Sequence, residues 1–247
     1  MPDTTSAVAA DSVFSTRRTD SWWAGPLLTA LVLISFVVWA TYRAFENDLY
    51  EAGPYLSPFF SPLIEGFVLP PAFLILWAPA GFRLTCYYYR KAYYRSLLLA
   101  PPACAVRGAQ KSYRGETFLL LFQNLHRYLL YVALVFLVFL WHDAVVSYGF
   151  EGGFGVGLGS LVLTLNAALL TVYALSCHCM RHIVGGNLDC FTCPGGRPKL
   201  RYRAWKGVTA LNARHMQFAW VSLVWVGFSD IYVRMVSSGD WTDLRLV

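Results

Sequence analysis

Five stretches of this chain, at about 27–42, 62–82, 118–141, 154–176 and 216–235, are apolar over lengths close to what a bilayer requires. A helix needs about 20 apolar residues to cross the hydrocarbon core. Charged residues make up 14% of the 247, against roughly 25% in a soluble domain, while hydrophobic residues reach 57%. Lipid is therefore the solvent this composition suits. The sequence reads as an all-α polytopic membrane protein with about five transmembrane helices in one anchor domain, 21–247, with no internal repeat. Residues 1–20 read as a disordered cytoplasmic lead. They carry no signal-peptide pattern, because Arg17 and Arg18 precede a stretch too long for an h-region. Pro70, Pro71 and Pro79 predict a kink or broken geometry in the second stretch.

Basic residues orient the helices. Segment 83–114 holds seven Lys and Arg and no acid, and segment 181–214 holds seven against Asp189 alone. The alternate connections carry Glu46, Asp48, Glu51 and Glu65, then Asp143 and Glu151. Loops 83–117 and 177–215 are therefore expected in the cytoplasm, with the amino terminus inside and the carboxyl terminus outside. Orientation charge also accounts for the net +6, so nothing calls for nucleic acid as a partner.

That topology gathers the chemistry at one interface. Cys86 and Cys104 fall in the first inner loop, His126 about two turns inside the third span, and Cys177, His178, Cys179 and His182 at the end of the fourth. His215 begins the fifth, and only His142 lies at the outer side. All six cysteines share the cytoplasmic side, which argues against disulfides and for thiols or metal ligands. If the fourth helix continues, His178 and His182, four apart, lie on one face. Three metal readings are open at this point. Two histidines from separate helices could ligate haem axially. Two cysteines and two histidines could hold a Rieske-type [2Fe–2S] cluster. Cys177 and Cys179 with the Cys190-x-x-Cys193 knuckle could bind zinc. The run 85–95 interleaves aromatics and cations, as an interfacial belt does, yet a Tyr and an Arg there could also hydrogen-bond a quinone. For Asp230, within the fifth span, a helix–helix hydrogen bond is the expected role.

Five segments resemble a known family: TCYYYRKAYYR (85–95), APPACAV (100–106), QNLHRY (123–128), SCHCMRHIVGG (176–186) and LNARHMQFAWVSLVWV (211–226). Together they resemble the membrane-anchor subunit of actinobacterial succinate dehydrogenase, of the five-helix, single-chain type. The resemblance implies a bacterial cell-membrane location. It also implies partnership with a flavoprotein (FAD) subunit and an iron–sulfur subunit, electron transfer to menaquinone, and a Rieske-type [2Fe–2S] centre in the anchor, with room for a further oligomer. Its implied ligand candidates are Cys86, Cys104, Cys177, His126, His178 and His182. Tyr88, Arg90, Arg127, Arg181 and His215 are the candidates for quinone binding. A haem b anchor of fumarate reductase or another respiratory complex, and a zinc-stabilised scaffold with no redox role, are the rival readings.

Overall fold

The computed structural model describes residues 16, 18–107, 118–186, 190 and 196–246. Most of the expected lead, Lys111 and Arg114 of the first basic loop, and Asp189 and Cys193 of the second lie outside these residues. The described chain is helical: α1 Ala24–Glu46, α2 Pro71–Thr85, α3 Tyr87–Leu97, α4 Leu119–Val146, α5 Leu158–Leu175, α6 His178–Gly185, α7 Gly196–Asn212 and α8 His215–Ser237. Two antiparallel hairpins, β1 Glu51–Ala52 with β2 Tyr55–Leu56 and β3 Gly149–Phe150 with β4 Gly153–Phe154, close the connections after α1 and α4.

Four helices, α1, α4, α5 and α8, are long and apolar enough to cross a membrane. In place of the second expected stretch, α2 has 15 residues, about 22 Å of helix. Its start is set by Pro71 at the first helical position, where a missing N–H is harmless. The residues before it pack as irregular chain, with Phe59 and Phe60 buried against Ala44, Ala72 and Val226. At its other end, Asn47 closes α1 in the left-handed conformation (φ 51°), its N–H bonded to Arg43 O at 3.2 Å. Asparagine tolerates that region better than most residues.

In the packed bundle, α5 lies between α4 and α8, α2 lies on α4, and α1 runs along α3. Polar groups separate to the two ends. At one end Arg18 Nη1 donates to Cys104 O (2.9 Å) and Thr16 Oγ1 to Ala105 O (3.1 Å), so the start of the described chain touches the first basic loop. The acids meet at the other end. Asp230, fully buried, accepts from Trp39 Nε1 on α1 (2.9 Å), Ser57 Oγ (2.5 Å) and Arg234 Nε (3.0 Å). The bond to Trp39 is the helix–helix contact expected of it. Arg234 also reaches Glu46 Oε2 at 3.2 Å. Asp243 gathers Tyr55 OH (2.7 Å), Tyr232 OH (2.6 Å) and the Gly159 N–H (3.0 Å), fastening the last described residues across the hairpins.

Two expectations change here. The fourth helix does not continue through 182: it stops at Leu175, Cys177 is extended, and α6 starts afresh at His178. His178 and His182 consequently sit on a short separate helix, both exposed. Cys190 is disulfide-bonded, so it offers no thiolate to a metal, against the expectation that all six cysteines would be thiols or ligands. Cys86, Cys104, Cys177 and Cys179 are free.

The Asp230–Arg234 pair gives a stability prediction. Removing one member of a buried pair strands the other and costs about 3–5 kcal/mol. Asp230→Ala should lower the thermal midpoint of the detergent-solubilised protein by several degrees, whereas Arg18→Ala at the exposed Arg18–Asp20 pair should not move it. Equal midpoints for Asp230→Ala and the parent would show that the network contributes nothing to stability.

Candidate metal and quinone site

Two cysteines interrupt two helices in the same way. Cys86 (φ −65°, ψ 133°) separates α2 from α3, and Cys177 (φ −62°, ψ 144°) separates α5 from α6. Neither break contains Pro or Gly. At each, the residue before the cysteine turns its hydroxyl back onto the preceding helical turn: Thr85 Oγ1 donates to Gly81 O (2.8 Å), and Ser176 Oγ donates to Tyr173 O (2.9 Å). Such back-bonding competes with the helical ladder. The backbone hydrogen bonds also correspond. Cys86 N–H bonds Arg83 O (3.1 Å) and Cys177 N–H bonds Ala174 O (3.2 Å), then Arg90 N–H bonds Cys86 O (2.9 Å) and Arg181 N–H bonds Cys177 O (3.2 Å). Residues 82–90 (FRLTCYYYR) and 173–181 (YALSCHCMR) are therefore a short internal repeat, aromatic-x-Leu-hydroxyl-Cys-x-x-x-Arg, which escaped the sequence reading.

The two copies grip two histidines crosswise. His126, in the second turn of α4, places Nδ1 2.9 Å from Thr85 Oγ1 and Nε2 3.1 Å from Cys177 Sγ. His215, the first residue of α8, places Nδ1 2.7 Å from Ser176 Oγ and Nε2 3.5 Å from Cys86 Sγ. Phe82 stacks on His126 (4.6 Å, 2°) and Tyr173 on His215 (5.1 Å, 11°). Each imidazole is thus held by the hydroxyl and ring of one copy and faces the thiol of the other.

The four groups are buried, with exposures of 1% for Cys86 and Cys177, 6% for His126 and 3% for His215. Burial pushes the Cys86 thiol up, opposed by the Tyr88 and Tyr89 backbone N–H groups, the Tyr173 hydroxyl and Arg83. The Cys177–Cys179 hydrogen bond, with burial, pushes the Cys177 thiol up, and the same bond draws Cys179 down to about 7. Both buried thiols sit at helix N-termini, whose dipoles favour thiolate. Thiolate and imidazole are the soft donors that suit iron–sulfur, zinc or copper(I) rather than magnesium or calcium. Two thiols and two imidazoles at one buried place fit a two-iron centre with a Cys₂His₂ ligand set.

A cavity of about 520 Å³ adjoins these groups, lined also by Tyr88, Arg90, Gln123, Asn124, Arg127 and Asn212. Of the remaining expected ligands, His178 and His182 line this cavity from α6, while Cys104 is exposed and outside it. Cys179 joins His126 and Cys177 within 4.8 Å, but its counterpart in the first copy is Tyr88. Among the expected quinone residues, Tyr88, Arg90 and Arg127 line the cavity, and Arg181 instead lies over the Trp205 ring of α7 at 5.3 Å. His215, expected among the quinone residues, stands with the thiols. Thr85 and Ser176 open two of the resembling segments but were given no role, and Phe82 and Tyr173 were not singled out, although the repeat would have pointed to all four.

A family model described as actinobacterial succinate dehydrogenase subunit SdhC matches residues 24–239. A solved structure, "Mycobacterium smegmatis Sdh1 complex in the apo form", contains a chain that is 43% identical, with a TM-score of 0.84 over 98% of this chain and 98% of that one. No curated protein matches. This chain belongs to the actinobacterial SdhC family and is a membrane subunit of a succinate dehydrogenase complex.

Proposed function

We propose that this subunit docks the flavoprotein and iron–sulfur subunits at its basic end, holds a Rieske-type [2Fe–2S] centre, and delivers electrons to menaquinone in the adjoining cavity. The observation that carries the reading is the crossed set of Cys86, Cys177, His126 and His215, each thiol facing an imidazole Nε2 at 3.5 or 3.1 Å. When bound, such a centre takes up and gives up one electron at a time. The residues around it hold the ligands in register and keep bulk water away, since all four are buried. A thiol in front of each Nε2 leaves no open imidazole face for a porphyrin, which disfavours axial haem. A zinc site on His126, Cys177 and Cys179 would leave Cys86 and His215 without a role.

Arg127 supports quinone binding in the cavity. It lines that space with its Nε buried and without a hydrogen-bond partner among the described residues. A buried donor left unmatched is costly, and a quinone carbonyl oxygen would match it. A bond from a cation also strengthens as the carbonyl gains negative charge. Gln123, Asn124 and Tyr88 offer neutral donors on the same wall.

Three measurements test this reading. The purified complex should hold iron and acid-labile sulfide beyond the content of its soluble iron–sulfur subunit. Cys177→Ser and His215→Ala should each remove that excess, while Cys104→Ser keeps it, and full retention in the first two variants would refute the ligand set. Arg127→Ala should slow menaquinone reduction about tenfold or more, with succinate oxidation by a soluble artificial dye unchanged. Loss of dye reduction to the same extent would move Arg127 from quinone binding to assembly. Reporters fused after Lys199 and after Leu246 should report opposite sides of the membrane, cytoplasmic for Lys199, and the same side for both would overturn the orientation.

A further inference from the structure

The two hydroxyls of the repeat fix where each histidine carries its proton. Thr85 Oγ1 donates its single hydrogen to Gly81 O at 2.8 Å, with Phe82 O at 3.3 Å on the same side. A carbonyl only accepts, so the hydroxyl hydrogen is committed there. The Thr85 oxygen can then meet His126 Nδ1, 2.9 Å away, only as an acceptor. Ser176 repeats the pattern, donating to Tyr173 O at 2.9 Å and accepting from His215 Nδ1 at 2.7 Å. A neutral imidazole has one N–H. With that hydrogen on Nδ1, both Nε2 atoms present lone pairs, on the sides where Cys177 and Cys86 lie at 3.1 and 3.5 Å.

We infer that Thr85 and Ser176 are positioning residues: they set the tautomer and aim of the two metal-facing histidines and thereby tune the affinity and reduction potential of the centre. This rests on the ligand reading given above. Both hydroxyls are buried, Thr85 at 6% and Ser176 at 0% exposure, so water does not readily substitute for them. The stacked rings of Phe82 and Tyr173 fix the plane of each imidazole, and the hydroxyl fixes its rotation within that plane. An Nδ1–H donated to an oxygen makes the imidazole a more basic ligand, which favours the oxidised centre. Removing the acceptor shifts the balance towards the reduced one.

The test uses the purified complex with Thr85→Val, Thr85→Ser, Ser176→Ala or Ser176→Thr. The anchor centre is titrated by electron paramagnetic resonance, beside iron and sulfide analysis. Thr85→Val and Ser176→Ala should each move the reduction equilibrium about tenfold towards the reduced state, ~59 mV for one electron. Thr85→Ser and Ser176→Thr should stay with the parent. If Thr85→Val cannot hold the centre, retention in Thr85→Ser with a shifted Ser176→Ala carries the same conclusion. Unmoved potentials in both apolar variants, or equal shifts in the variants that keep a hydroxyl, overturn it. A parent complex without excess iron and sulfide overturns the ligand reading itself, a separate failure visible before any variant is made.

Discussion

Backbone groups near a membrane interior must find hydrogen bonds within the protein, so stopping a helix there requires substitute partners. This chain stops two helices, at Cys86 and Cys177, and the site depends on how those stops are satisfied. Thr85 and Ser176 turn back onto carbonyls of their own helices, and the next helices restart one residue after each cysteine. The break swings each thiol out of the helical ladder and into the space between α4 and α8. Had α2 and α5 run on unbroken, Cys86 and Cys177 would be two more helical residues, with no reason for both to meet His126 and His215.

The opposite end solves a different problem. Asp230 and Arg234 lie on consecutive turns of α8, almost fully buried, where single charges would be prohibitive. They are tolerated because Trp39, Ser57 and Glu46, supplied by α1 and the connection after it, complete the network. α1 also packs apolar side chains, Phe36 against Phe59 and Phe45 against Phe73, although its membrane-length window holds no fully buried residue. The polar contact thus adds to the apolar packing that holds α1 against the bundle. It leaves the thiol–imidazole end free to be built from α2 to α6 and α8.

The apolar stretches were legible because length and hydropathy alone decide whether a helix can cross lipid, and α1, α4, α5 and α8 follow them within a few residues. The second stretch was less so. Pro71 starts α2 late, and the segment before it buries Phe59 and Phe60 without forming a helix, which hydropathy cannot distinguish from a span. Helix α7 is polar along much of its length and reads as loop. At the site, the residue types and the shared end of the bundle could be read from the chain. The breaks could not, because no Pro or Gly announces them and the hydroxyl back-bond is a three-dimensional event. His215 was visible but assigned to quinone, since its position at the start of a span says nothing about facing Cys86.

The repeat is symmetric in the residues that hold the histidines and asymmetric beyond them, and the asymmetry decides what each copy shows to the cavity. Both copies end in arginine, but Arg90 is buried at 4% exposure on the cavity wall and packs over the Phe122 ring at 5.6 Å. Arg181 is carried the other way, over Trp205 of α7, and α7 covers that flank of α6. Two positions after the cysteines, one copy has Tyr88, tilted against His215 at 5.6 Å, and the other has Cys179, hydrogen-bonded through its backbone to Cys177 Sγ at 3.4 Å. The first copy therefore presents an aromatic ring and a cation to the open space, whereas the second presents Cys179, His178 and His182 to it and sends its arginine to α7. Both copies thus line one cavity, but only the first contributes its terminal arginine to it, beside Arg127, Gln123 and Asn124, while the second contributes His178, Cys179 and His182.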